Sequence, residues 1–402
     1  MKTKRLLPKL SLLVGLKNNL DYTRNFYSTT RELDPDVEIV FVSYGSTDGT
    51  HAWLDQITEV DPNVIIHWSE ELKTFSDTFN KATEIATGDY VIYLHNDIVL
   101  CPSFLMHMQE STKEDLGNLV ISYTTIEPPI FNDHSRPGKI IKDFGSDLET
   151  FDKKAFHEYT QDKEIDDSED PFFSEYSEGS SFFLMMWRDN LLDIGGLDNL
   201  FSPMFCEDDD LLKRLKLAGY RLVTSNKAMV YHFVSKTSRF SEEYQNKTQE
   251  IEKNSQKNYL RKWHSNQSKG RYDIGFVING EVDHNILTGL EILCDNMYIL
   301  PTRENDKTIN QYIMLNQPIT KFDLMKKFIF NEDLIKNEVI VYIDLKMLSN
   351  DSYNQLLCLP LALDEILTNN VTGSFNFGPF IVNLTKPLVD YSSKYISNNI
   401  YT

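Results

Sequence analysis

The 402-residue sequence lacks several features that would mark its class at once. It has four cysteines, Cys101, Cys206, Cys294 and Cys358, none in a CxxC pair. That spacing suits free thiols in a reducing compartment better than a disulfide frame or a cysteine-built zinc site. Positive charge is in deficit: 40 Lys and Arg face 60 Asp and Glu, a formal net charge of −20. Binders of nucleic acid or anionic membrane normally carry a basic face, so no stable nucleic-acid binding is expected. No run approaches the roughly 20 apolar residues that span a bilayer. The opening MKTKRLLPKLSLLVGLKNN is interrupted by Pro8 and Lys9 and lacks a small-residue cleavage pattern. It reads as a first buried strand, in a protein expected to be soluble and cytoplasmic. A GxxxxGK[ST] loop, a GxGxxG after a strand, a GxSxG elbow and an HExxH helix are all missing, which leaves phosphate-loop, serine-hydrolase and zincin chemistry unsupported.

What is present is ample core material, 41% apolar and 12% aromatic residues, on a chain long enough for two domains. LSLLVGL (10–16), VEIVFVS (37–43) and DYVIYL (89–94) are continuous apolar runs, as expected of strands buried on both faces. LDYTRNFYSTTREL and FNKATEIA read as helices between them, and YGSTDGT (44–50) as a turn opening another. Such alternation predicts an α/β fold with a central, mostly parallel sheet. Ligands gather beyond the carboxyl ends of such strands, so the turns after Ser43 and Leu94 are the places to search. Residues 132–178 are polar and weakly periodic, which predicts a long excursion or lid. SSFFLMMW, YRLVTS and AMVYHF resume the strands. Residues 241–270 read as a helical linker, and 271–402 as a smaller α/β domain of unknown role, a possible site of homo-oligomer formation.

Three stretches carry candidate chemistry. YLHND sets Asp97 just after a buried strand, where a carboxylate can cap a turn or hold a hard cation. His232 shares one face of AMVYHF with Ala228 and Val230, so it is a core histidine or a metal ligand. CEDDDLLKRL gathers Glu207, Asp208, Asp209 and Asp210 at a helix start, where the dipole favours each by about 0.3–1 kcal/mol. Asp209 and Asp210 can meet Lys213 and Arg214 four residues on. Glu207 and Asp208 are left without an obvious cation.

VFVSYGSTDGT, FNKATEIATGDYVIYLHND, CEDDDLLKRLKLAGYRLV and VYHF, in this order over residues 8–240, resemble the family-2 glycosyltransferases and their GT-A, Rossmann-like nucleotide-sugar-binding fold. IEPPIF, KIIKDFG and VYHFVSKTSRF look like the variety found in phages and large DNA viruses, which would place the protein in a host cytoplasm. The resemblance implies a domain over 1–240 and an inverting, metal-dependent transferase for glycan biosynthesis. It would move a hexosyl or N-acetylhexosaminyl group from a nucleotide-diphosphate donor, a UDP-sugar above others, to a hydroxyl of a glycan or glycoprotein. Mn²⁺ or Mg²⁺ would sit on Asp97, the last acid of an Asp-x-Asp element thinned here to His95, Asn96 and Asp97, and on His232. Asp208 would be the general base, with Glu207 its rival or positioning partner. Lys17, Ser43, Tyr44, Asp48, Asn80, His95 and Asn96 fall at donor positions, although Ser43 and Tyr44 stand where the family carries acids. Asp48 serves equally to cap the next helix, Lys17 serves equally as a solvated cation, and Asn80 and Gly88 read equally as structural. Two other readings stand beside this one. One is a sugar transferase acting on modified DNA bases, against which the acidic total argues. The other is a nucleotide-sugar-binding scaffold that no longer turns over.

Overall fold

The computed structural model describes residues 7–131, 136–166, 173–176, 181–234, 236, 243–369 and 371–397. Two compact units divide the chain, residues 1–251 and 252–402. No helix among the described residues is long and apolar enough to cross a membrane.

The first unit is an α/β unit built on one sheet of ten strands: β1 (Leu10–Leu16), β2 (Glu38–Tyr44), β3 (Val64–Ser69), β4 (Tyr90–His95), β5 (Ile98–Leu100), β6 (Leu119–Glu127), β7 (Lys139–Ile141), β8 (Phe173–Glu175), β9 (Leu184–Trp187) and β10 (Arg221–His232). Its order is β3-β2-β1-β4-β9-β6-β10-β5, with β7 beside β6 and β8 beside β10. The first four are parallel, β9 runs against both its neighbours, and β10 runs with β6. β1, β2, β4, β6 and β10 therefore end at one edge of the sheet. The apolar runs foreseen in the sequence are these strands, and β1, β2 and β4 are buried along almost their whole length.

The opposite edge is closed for stability. Glu38, buried at the start of β2, accepts from Ser11 Oγ and Thr87 N at 2.7 Å each and pairs with Lys9. Gly88 lies so close that a Cβ there would stand 2.4 Å from Ser11 Oγ. The glycine is needed for that close approach of chains.

Two expectations change. The segments YRLVTS and AMVYHF are one strand, β10, whose pairing with β6 shifts register between Ser225 and Met229. The irregularity breaks the period and makes one strand look like two. The 132–178 excursion, apart from 132–135, 167–172 and 177–178, which lie outside the described residues, is more ordered than its polarity suggests. It contains β7, β8 and the helix Lys153–Asp166. Phe144 and Phe156 are buried against Tyr231 of β10, whose hydroxyl accepts from Phe144 N (3.2 Å) and donates to Gly145 O (2.6 Å). A few aromatics spaced outside any regular period hold it down.

The second unit has β11 (Ile274–Asn279), β12 (Asn296–Ile299), β13 (Phe328–Ile329), β14 (Val339–Asp344), β15 (Gly373–Phe377) and β16 (Phe380–Leu384), ordered β13-β12-β11-β14-β16-β15. The first four are parallel, and β16 and β15 close the edge as an antiparallel pair. The helix Thr248–Trp263, expected as a linker, spans the division between the units. Its Arg261 is buried and paired with Glu291, so its second half is part of the second unit's core.

Candidate active site

The carboxyl edge of the first sheet is where acidic and imidazole side chains converge. β4 delivers His95 and the turn residues Asn96 and Asp97. β5 pairs with β10 in a register that sets Ile98 opposite His232, and Phe233 N donates to Asp97 O at 3.0 Å. That pairing brings Asp97 and His232, 135 positions apart, side by side: His232 Nε2 is 3.4 Å from Asp97 Oδ1. His95 Nδ1 is 3.4 Å from the same His232 nitrogen and 3.9 Å from Asp97 Oδ1. One ligand atom from each of the three lies within 4.8 Å of the others, a grouping able to hold a metal ion.

The electrostatics match that arrangement. Burial pushes the Asp97 carboxyl up, but His232 and then His95 outweigh it and hold it at about 2. Burial pulls His232 down, while Asp97 and Glu127 more than reverse this and raise it to about 9. His95 is dominated by burial, which lowers it to about 4, and its Nε2 is buried without a partner. Its ring is stacked on Phe182 at 4.8 Å and packed edge-on against Phe183 and Phe75.

The second group sits at the start of the helix Glu207–Leu217. Phe205 and Cys206 before it both have left-handed backbone (φ 76° and 66°), unusual for residues with side chains. Asp210 is fully buried and paired with Arg214 at 2.7 Å, and Arg214 also donates to the Ile194 and Gly196 carbonyls. That completes the structural account expected of Asp210; Asp209 is exposed. Glu207 is buried with its Oε2 unpartnered, and burial, reinforced by Asp208, raises its carboxyl well above the usual range. Asp208 is partly exposed, and burial followed by the Asp209 charge raises it to about 7. A buried acid with a free oxygen next to one titrating near neutrality is an arrangement suited to proton transfer.

The residues expected at the nucleotide end separate into two sets. Ser43 is fully buried, 2.8 Å from Ser46 Oγ and 3.0 Å from His51 Nε2. Asp48 caps two helix starts, accepting from Leu20 N (2.9 Å) and from Thr50 N and Oγ1 (3.1 and 2.6 Å). Asn80 is tied to the Leu197 backbone through both its N and O, and buried Asn96 donates to Thr23 Oγ1 at 3.0 Å. Ser43 and Asn96 are thus buried partners within the fold, Asn80 is half-buried, and Asp48 caps its turns from an exposed position. Lys17, which donates to Gly45 O and lies 3.6 Å from Glu243, and Tyr44, edge-on to His67, stay at the partly open rim.

Sequence reasoning missed Glu127, Arg136 and Lys139. Glu127 ends β6 and accepts from His232 Nδ1 at 2.9 Å. Arg136 and Lys139 pair with it, and the Arg136 guanidinium lies 4.8 Å over the Phe183 ring. Arg136 is close enough for its charge to act on Asp208 and His95 as well. Nothing in IEPPIF marks Glu127; its signal is a partner 105 residues away.

Residues 11–163 match the sequence model described as glycosyl transferase family 2. That match lies wholly within the N-terminal unit. A Bacillus subtilis (strain 168) protein named as a candidate teichuronic acid biosynthesis glycosyltransferase, TuaG, is 32% identical to this chain over 91 residues, 22% of the chain and 36% of TuaG. Among solved structures, the mannosyltransferase PcManGT of Pyrobaculum calidifontis, in complex with GDP-Man and Mn²⁺, is 17% identical, with 63% of this chain and 62% of that one covered and a TM-score of 0.40. S. aureus TarS 1–349 in complex with UDP-GlcNAc is 16% identical, with 63% and 64% covered and a TM-score of 0.41. The chain thus spans just over a third of TuaG and less than two thirds of either solved relative. The phage-like variety finds no support among these relatives. Asp208, His232 and the whole second unit lie beyond the family match, so their roles rest on the geometry above.

Proposed function

We propose that the protein is an inverting glycosyltransferase that moves a sugar from a nucleotide-diphosphate donor, preferentially a UDP-sugar, to a hydroxyl of a glycan or glycoprotein. The observation that carries this reading is the convergence of His95, Asp97 and His232 at the carboxyl edge of a family-2 sheet. Cations differ in the ligands they prefer: two imidazoles and one carboxylate suit Mn²⁺, and Mg²⁺ less closely. A divalent cation held by these three residues would neutralise the charge of the departing diphosphate. Asp208 takes the proton of the acceptor hydroxyl as its oxygen attacks the anomeric carbon. A base poised near the working pH is the effective one, and its environment poises Asp208 there. Glu207, kept protonated, can donate a hydrogen bond from its unpartnered Oε2 and orient the acceptor. Lys17 and Tyr44 at the partly open rim are the donor-side contacts; Ser43, Asn80 and Asn96 support the turns, and the exposed Asp48 caps them. The ordered part of the 132–178 excursion forms the acceptor wall.

A thermal-shift screen of nucleotide sugars, with and without Mn²⁺, tests the reading on wild type and Asp97→Ala. Donor stabilisation that needs Mn²⁺ in wild type and vanishes in the variant is the expected result. Full metal-dependent stabilisation in Asp97→Ala would falsify the cation site.

A further inference from the structure

His232 is held from both sides, and the two sides differ. On its Nδ1 side, Glu127 accepts at 2.9 Å, a normal hydrogen bond. On its Nε2 side, Asp97 Oδ1 and His95 Nδ1 each stand at 3.4 Å, too long for a firm one. Glu127 is itself clamped: it is buried, Arg136 pairs with Oε1, and Lys139 Nζ lies 3.2 Å from Oε2. Arg136 is fixed in turn by Thr125 and by the Phe183 ring. The chain Arg136 and Lys139 to Glu127 to His232 thus ends on a ring nitrogen facing Asp97 and His95. A histidine that ligates a metal commonly donates its other N–H to a carboxylate, which fixes tautomer and ring orientation.

We propose that Glu127, anchored by Arg136 and Lys139, is a positioning residue that keeps the proton on His232 Nδ1 and reserves Nε2 for the cation. This rests on the cation site proposed above and assigns the residue that prepares it. Lone imidazole shows no such commitment between its two nitrogens, so without Glu127 the neutral ring is free to turn or to carry its single proton on the ligating nitrogen instead.

The test compares wild type, Glu127→Ala and Glu127→Gln as full-length chains. Mn²⁺ alone is titrated and read from the electron-paramagnetic signal of the free ion. In Glu127→Ala the Mn²⁺ Kd is expected to weaken by about 10–100-fold. In Glu127→Gln, whose amide oxygen still accepts from Nδ1–H, most of that affinity returns; a merely structural loss would not be rescued this way. Nitrogen-15 spectra of histidine-labelled, Mg²⁺-saturated wild type should place the proton on His232 Nδ1, and this holds as a test even if Glu127→Ala does not fold. A proton on Nε2 in wild type, or an unchanged Mn²⁺ Kd in a folded Glu127→Ala, overturns the assignment. Absence of Mn²⁺ binding in wild type sinks the cation site itself, a separate outcome.

Discussion

Glu207 in the first unit and Glu291 in the second are both buried glutamates, 6% and 0% exposed, yet they sit in opposite electrostatic states. Glu291 accepts from Arg261 at 2.8–3.1 Å, from Lys327 at 2.7 Å and from Tyr312 at 3.0 Å. Burial pushes its carboxyl up, but Lys327 and Arg261 overcome this and hold it at about 2. Glu207 has other acids for neighbours and an oxygen with no partner, so it is pushed up. Burial alone does not say whether an acid is structural or functional; the company it keeps does. Glu291 closes a core, whereas Glu207 and Asp208 are held at a cost in stability, which is what the role proposed for them requires.

The sharpest way to break that contrast is to neutralise one acid on each side. Asp208→Asn is expected to lower kcat by about 10²–10⁴-fold while leaving the thermal midpoint intact or higher. Equal losses of activity and melting temperature would make Asp208 a structural residue like Glu291. Glu291→Ala strands Arg261 and Lys327 without their carboxylate in a dry interior. Breaking one partner of such a cluster costs about 3–5 kcal/mol, measurable by urea unfolding of the second unit's transition. A loss below about 1 kcal/mol, the range of an exposed pair, would show that the two cations find other partners.

The pH dependence sharpens the comparison, because the two acids carry opposite signs. Glu291 has a folded value below its unfolded one, so its stabilisation is complete above the ordinary glutamate range and fades as pH falls toward about 2. Asp208 has a folded value raised to about 7, so the folded state holds a proton the unfolded state has released. Stability then declines as pH rises from the ordinary aspartate range to about 7. Asp208→Asn should therefore melt above wild type at about pH 8 and level with it at about pH 4. Transfer runs the other way: kcat/KM should climb with pH up to about 7 and level off, a limb that Asp208→Asn removes.

Much of the fold and part of the site are legible in the sequence alone. The run LSLLVGL is β1 residue for residue, because a strand covered on both faces is apolar throughout. Asp97 and His232 stand out as candidates because one follows the end of a strand and the other ends one, the edge of a parallel sheet where ligands gather. What stays hidden depends on direction and distance. Ser43 lies near the end of β2 and Asn96 in the turn after β4, but whether such a side chain points outward or back to Ser46 and Thr23 is decided by packing. Glu127 carries no local pattern, since its partners His232 and Arg136 arrive from other segments. Arg136 is equally unmarked: it belongs to a polar stretch with little periodicity, yet it lies against Phe183 and Glu127.

The smallest effect tests whether the helix leading to the site is locked by its own first turn rather than by the site. Thr74 accepts from Asp77 N at 3.0 Å and Asp77 returns the bond to Thr74 N at 3.1 Å, a reciprocal cap on the helix Phe75–Ile85. Phe75, the first residue of that helix, packs on the His95 ring. Thr74→Ala should cost about 1 kcal/mol of stability. If the cap only supports the fold, Mn²⁺ affinity should hold while the melting point drops by a few degrees. A weakened Mn²⁺ affinity at full stability would mean instead that the cap sets the position of Phe75, and through it the ring of His95.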